Sequence, residues 1–182
     1  MKNYVRRMKG KGRGPKREPL KKVVWSWLGA FAGIYAIAAI NEALRLSERD
    51  SVFLIGSFGA SAVLVFGAPN AELGQPRNLV GGHVFSALVG VLVSATCGQF
   101  PVLACALAVS LSVVVMHLTR TLHPPGGATA LIAVTGGAGV QTLGYGFAFF
   151  PVATASVVLL LIGLFVNNLS RNSKRHYPVF WF

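Results

Sequence analysis

Between residues 23 and 169 the chain is a series of apolar runs joined by short connections, and this order restricts the fold more than any other feature. The runs cover residues 23–44, 51–68, 79–96, 102–118, 124–135 and 147–169. Inside hydrocarbon every backbone polar group must find an internal partner, which leaves helices for runs of this kind. About 20 apolar residues cross a bilayer, and several of the runs reach or approach that length. Only 12% of the residues are charged, about half the share in soluble domains. The expectation is an all-α polytopic membrane protein with about six hydrophobic segments. The first run opens with Trp25 and Trp27 at interfacial positions, and its Gly29-xxx-Gly33 offers a close-packing face.

Charge sets the domain boundaries and the orientation. Residues 1–22 hold ten of the seventeen Lys and Arg and form a basic arm. Beside an apolar run, such an arm reads as a cytoplasmic topology signal that touches anionic lipid, rather than a nucleic-acid binder. It lacks the Ser-rich composition of a transit peptide, which favours a bacterial cytoplasmic (inner) membrane. The membrane domain spans 23–169, and residues 170–182 form a basic, aromatic tail expected at the interface. With six crossings and both termini cytoplasmic, Arg77, Arg120 and the cations of residues 171–175 fall inside. The connections at 97–100 and 136–146, then outside, carry no Lys or Arg. Arg45 and Arg49 would lie outside, accompanied by Glu48 and Asp50. Four crossings plus two re-entrant hairpins place the termini equally well; six is the preferred count.

After Glu72 no carboxylate occurs in the remaining 110 residues. Two-carboxylate hydrolysis, carboxylate-bound metals and Asp or Glu proton relays are therefore not expected there. Cys97 and Cys105 have no metal-ligand spacing and read as small packing residues. No nucleophile–base pair or nucleotide loop stands out, so neither an enzyme nor a cofactor is expected.

The stretch Thr119-Arg-Thr-Leu-His-Pro-Pro-Gly-Gly-Ala-Thr-Ala-Leu131 carries the most specific pattern. Pro124 and Pro125 read as a helix start, since proline suits the first helical position. Gly126 and Gly127 would then offer N–H groups of a helix N-terminus, where the dipole favours anions. Gly59-Ala-Ser-Ala-Val-Leu64 matches Gly127-Ala-Thr-Ala-Leu-Ile132 at an offset of 68 residues. The implied unit is span, short helix, span, occurring twice, over about 23–97 and 101–169. If the short helices cross, the second copy is inverted, a plan that recurs in transporters with sites between discontinuous helices.

His123-Pro124-Pro125-Gly126-Gly127-Ala128, with Gly56 to Pro69 and Gln75 to His83 upstream, resembles the HPP integral membrane family over roughly residues 25–168. The resemblance implies a small polytopic membrane protein. Plant and cyanobacterial relatives are nitrite transporters, while many bacterial members have no assigned substrate. Architecture is thus better fixed by the resemblance than cargo.

The leading functional expectation is a transporter or channel for a small inorganic anion, with nitrite suggested by the resemblance alone. In that reading the two short-helix starts face one midplane site: Gly126, Gly127, Ser57, Phe58 and Gly59 present N–H donors, and Ser61 and Thr129 add hydroxyls. Arg120, His123, Pro124 and Pro125 surround the second helix start, while Arg77 and Asn78 precede the third run. Arg77 reads equally as a lipid-facing snorkel or an anion attractor. His83, behind Gly81 and Gly82, lines the same cavity or serves as a packing residue. His117 is a weaker candidate, and His176 is expected in solvent. Two alternatives stay open: an ammonium-type or neutral-solute pathway that relies on histidines, and a non-transporting assembly subunit. Glycine-faced helices also make a homo-oligomer plausible.

Overall fold

The structure, a computed structural model, describes residues 7–8, 12, 14–43, 56–170 and 175–182. The connection at 44–50, the first residues of the second run (51–55), Arg171, Lys174 and most of the basic arm lie outside the described residues. Among the described residues no strand occurs. Helix α1 covers Leu20–Ala43, α2 Gly56–Gly67, α3 Pro76–Cys97, α4 Pro101–Leu118, α5 Pro124–Thr135, α6 Ala138–Leu143 and α7 Ala148–Leu169.

Length divides these helices into two kinds. Helices α1, α3, α4 and α7 are long and apolar enough to cross a membrane. Helix α5 has 12 residues, about 18 Å of rise against roughly 30 Å of hydrocarbon, while α2 is described from Gly56, where the described residues resume. Six full-length crossing helices, the preferred count from the sequence, are therefore not found among the described residues. In chain order α1, α2 and α3 are followed by α4, α5 and α7, with α6 a brief addition before the last helix.

Helix α3 sits at the centre, packed against α4, α5 and α7, while α1 rests on α7 and the end of α2. Glycines make these approaches possible. A Cβ on Gly29 would come closer than 3.0 Å to the Phe66 ring, and one on Gly33 would lie 2.6 Å from Leu159 Cδ1. The small-residue face of α1 thus receives an aromatic ring from α2 and a leucine from α7. Away from this core the helices turn apolar side chains outward: Phe31, Tyr35, Leu161 and Phe165 are all about three-fifths or more exposed. Faces of this kind suit contact with lipid.

The C-terminal tail packs onto the helices. His176 is exposed, as expected, but Arg175 and Tyr177 are buried. Helix α2 ends in a wide π-turn over Val63–Gly67, leaving late carbonyls that the helix cannot satisfy. Phe66 O accepts from Arg175 Nη2 at 2.8 Å and from Ser26 Oγ at 2.7 Å, and Val65 O accepts from Asn167 Nδ2 at 3.0 Å. Tyr177 Oη donates to Gly74 O at 2.9 Å, and Val179 N donates to Gln75 Oε1 at 2.8 Å. The tail is a strap across α1, α2 and the α2–α3 connection. Burial lowers the Arg175 pKa, and the carbonyls it faces supply the compensating hydrogen bonds.

Two consequences are measurable by thermal unfolding in detergent. Gly29→Val should destabilise the protein by about 1–3 kcal/mol, the usual cost of overpacking, because the Phe66 ring it meets is itself fully buried. Gly127→Ala, whose Cβ would meet only Val109 Cγ1 at 3.7 Å, should melt with the wild type. A normal Gly29→Val melting curve would mean that α1 and α2 do not pack as described. Burial also raises the Tyr177 phenol above its ordinary pKa. Its stabilisation is therefore complete below about pH 10, where the unfolded phenol titrates, and is lost as pH rises further. Tyr177→Phe should flatten that alkaline decline; an unchanged decline would remove Tyr177 as its source.

Candidate functional site

A particular turn delivers His123. Helix α4 ends with Thr121 N donating to Met116 O at 2.8 Å and Arg120 N donating to His117 O at 3.2 Å. These are the two bonds of a Schellman cap, which requires a left-handed residue between them, and Arg120 supplies it with φ 57°. The chain then runs inward to His123, which has extended backbone at the start of α5.

From His123 to Gly126 this helix start offers no free N–H. Pro124 and Pro125 have no N–H, Gly126 N donates to His123 O at 2.8 Å, and His123 N points to Met116 Sδ at 3.5 Å. A Cβ on Gly126 would fall 2.7 Å from both Gly82 O and Ser86 Oγ, while one on Gly82 would fall 2.8 Å from Thr121 O and collide with His123. Glycine at 82 and 126 lets α3 and α5 touch through their backbones.

Above this contact lies a fully buried polar cluster. Ser61 Oγ is 2.7 Å from His83 Nε2 and 2.8 Å from His123 Nε2. His83 Nδ1 is 2.7 Å from Thr129 Oγ1, which is 2.7 Å from Ser57 Oγ. His123 Nδ1 is 2.7 Å from Leu73 O. With neutral rings, only one hydrogen-bond order satisfies every pair. A carbonyl only accepts, so His123 Nδ1 carries its proton and Nε2 accepts from Ser61. Having donated its single proton, Ser61 accepts from His83 Nε2–H, and His83 Nδ1 accepts from Thr129. Ser57 then donates to Thr129, whose own proton is spent on His83, and Pro125 O at 3.0 Å is a second acceptor within its reach. The cluster is thus a directed wire from Ser57 through Thr129, His83, Ser61 and His123 to Leu73 O. Phe58 stacks on His83 with ring centroids 4.3 Å apart.

The structure therefore brings together Ser57, Phe58, Ser61, His83, His123 and Thr129, contributed by α2, α3 and the start of α5. Ser61 and Thr129, equivalent in the internal repeat, bond to opposite nitrogens of one imidazole. Pro125 contributes its carbonyl, and Asn78 Nδ2 donates to Leu122 O at 2.9 Å, holding the approach to His123. Other candidates sit elsewhere. Arg120, Pro124 and His117 are exposed, and Gly59 is half-buried. A side chain at Gly127 would face Val109 of α4. The Arg77 guanidinium lies over the Phe180 ring, 5.8 Å from its centroid. The expected presentation of Gly126 N–H to an anion is not what this helix start provides, because that N–H is bonded to His123 O. The sequence reading missed Ser86, Met116 and the Leu73 carbonyl. Ser86 follows His83 by three residues, on the same face of a helix. Its Oγ is buried with no hydrogen-bond partner. No group of three or more potential metal ligands occurs among the described residues.

A family model described as HPP, transmembrane region, matches residues 15–178. Two similar proteins come from Dictyostelium discoideum, and both are named as transmembrane proteins. One is 49% identical over 98% of this chain and 57% of its own length; the other is 46% identical over 94% and 60%. The chain thus spans less than two-thirds of the length of these relatives. No solved structure matches it.

Removing the bridging hydroxyl tests the wire. Ser61→Ala leaves two buried imidazole nitrogens without a partner, at about 1–3 kcal/mol for each unsatisfied group. Arg120→Gly relieves a left-handed residue and should hold or raise stability by about 1 kcal/mol. Differential scanning fluorimetry separates the two: an unchanged Ser61→Ala melting temperature would show that Ser61 does not join the rings.

Proposed function

Given that the chain belongs to the HPP transmembrane family, we propose that it carries a small inorganic anion across the membrane, nitrite first among the candidates, together with a proton held by the His83–His123 pair. The observation that carries this reading is the buried wire linking both imidazoles through Ser61. An anion leaving water needs a partner charge or several strong donors. The N–H groups of His123 and Gly126 are already engaged, and Arg120 is exposed. Protonating an imidazole supplies the missing cation at the cluster itself.

The wire accepts a proton with little rearrangement at one point, His83 Nδ1. There the ring changes from acceptor to donor, and Thr129 turns its hydroxyl toward Pro125 O, 3.4 Å away. Ser57 has the same alternative acceptor at 3.0 Å. Phe58, stacked on the ring, favours the cationic form through its π face. The unpaired Ser86 hydroxyl, one turn along α3, offers a further contact for a solute beside Gly126. A cation formed in this interior costs least when its anion arrives with it, which couples the two. With the arm and tail cations cytoplasmic under the positive-inside rule, the pathway runs between that side and the opposite face.

A second reading rests on the same wire in its neutral form. A complete set of donors and acceptors without charge also suits ammonia or another uncharged solute, as in an ammonium-type pathway.

The test is flux into liposomes containing the purified protein alone, measured over protein-free vesicles. An acidic exterior should speed nitrite uptake, and nitrate and formate should compete. His83→Gln should reduce the protein-dependent flux about tenfold or more, as expected for losing a hydrogen bond to a charged group. Ammonium flux insensitive to anions would select the second reading. No flux of any solute would leave the assembly-subunit reading.

A further inference from the structure

A groove of about 350 Å³ lies beside the start of α3, outside the histidine cluster. Its walls are Val80 and Phe85 of α3, Leu160 of α7, and Trp181 and Phe182 of the strap, with Arg77 the charged side chain among them. Trp181 and Phe182 are exposed, so the groove opens outward. Lined almost wholly by hydrocarbon, it does not suit an inorganic ion. A ligand that fills it must be apolar along most of its length.

Arg77 identifies the other end of that ligand. Its guanidinium rests on the Phe180 ring, and its Nε is buried with no hydrogen-bond partner. Glu72 lies in the connection just before α3 but forms no ion pair with Arg77, and no Asp or Glu follows Glu72. The one ion pair among the described residues joins Lys22 and Glu18. An unneutralised arginine at an apolar groove, in a protein surrounded by lipid, calls for an amphiphile with an anionic head.

We infer that this groove holds one acyl chain of an anionic membrane phospholipid, with its phosphate on Arg77 and the aromatic strap as the outer wall. Trp181 provides the probe. Its fluorescence, taken as the difference between wild type and Trp181→Phe, is measured in phosphatidylcholine vesicles containing acyl-brominated phosphatidylglycerol or phosphatidylcholine at equal mole fraction. Salt of about 1 M shortens the Debye length to about 3 Å and screens the exposed basic arm. Brominated phosphatidylglycerol should quench Trp181 at least twofold more strongly than the brominated phosphatidylcholine. Arg77→Gln should abolish that preference and Arg77→Lys should keep it, with glycerol phosphate failing to compete. Val80→Phe, which fills the groove, should weaken quenching by both lipids. Equal quenching by the two lipids in the wild type would overturn the inference, as would a preference that survives Arg77→Gln. Absence of Trp181 quenching would overturn it too. Because the readout involves no transport, failure here leaves the proposed function standing.

Discussion

An imidazole buried in an apolar bundle must have both nitrogens satisfied, and this requirement organises the fold around His83. A buried polar atom left without a partner costs as much as several well-packed methyl groups contribute. His83 meets the requirement only if Ser61 of α2 and Thr129 of α5 approach from opposite sides. Both short helices must therefore reach the same face of α3. Gly82 and Gly126 remove the Cβ atoms that would keep α3 and α5 apart. The small residues serve the polar cluster as much as the helix packing.

The short helices can be read from the sequence because their punctuation is local. Pro124-Pro125 starts one, Pro69 follows the end of the other, and the repeated Gly-Ala-Ser/Thr-Ala marks both. The repeat also places Ser61 and Thr129 in equivalent positions, and the fold brings them to one ring. Helix length is less legible. The run at 147–169 reads as one uninterrupted span, yet its helix is broken at Phe150 (φ −136°, ψ 120°). Hydropathy reports which residues tolerate lipid, not where helical hydrogen bonding stops.

What the sequence could not convey is partner choice over long separations. Arg175 sits in a basic tail and looks like an interfacial charge, because its neighbours Arg171 and Lys174 fit that role. Its burial depends on the π-turn at the end of α2, which leaves the Phe66 carbonyl unpaired more than a hundred residues away. The N–H groups of the α5 start are a similar case. A Pro-Pro-Gly-Gly run suggests bare donors, but two of the positions have none to offer. The Gly126 N–H turns back to the His123 carbonyl, and the His123 N–H finds a methionine sulfur. Pattern alone does not reveal that kind of closure.

The two ends of α2 give the cluster its setting. One face of this helix supplies Ser57, Phe58 and Ser61 to the histidines. Its C-terminal carbonyls are held by Ser26 of α1, Asn167 of α7 and Arg175 of the strap. Helical hydrogen bonds do not place α2 against its neighbours; these attachments do. Any movement of α2 that opened the Ser61 bridge would also strain three separate anchors. Under the proposed function, the wire changes its protonation by turning hydroxyls within this frame, while the helices stay in place. That separates the mobile element, a few O–H rotors with Pro125 O as a second acceptor, from the frame that keeps the two imidazoles within reach of one serine.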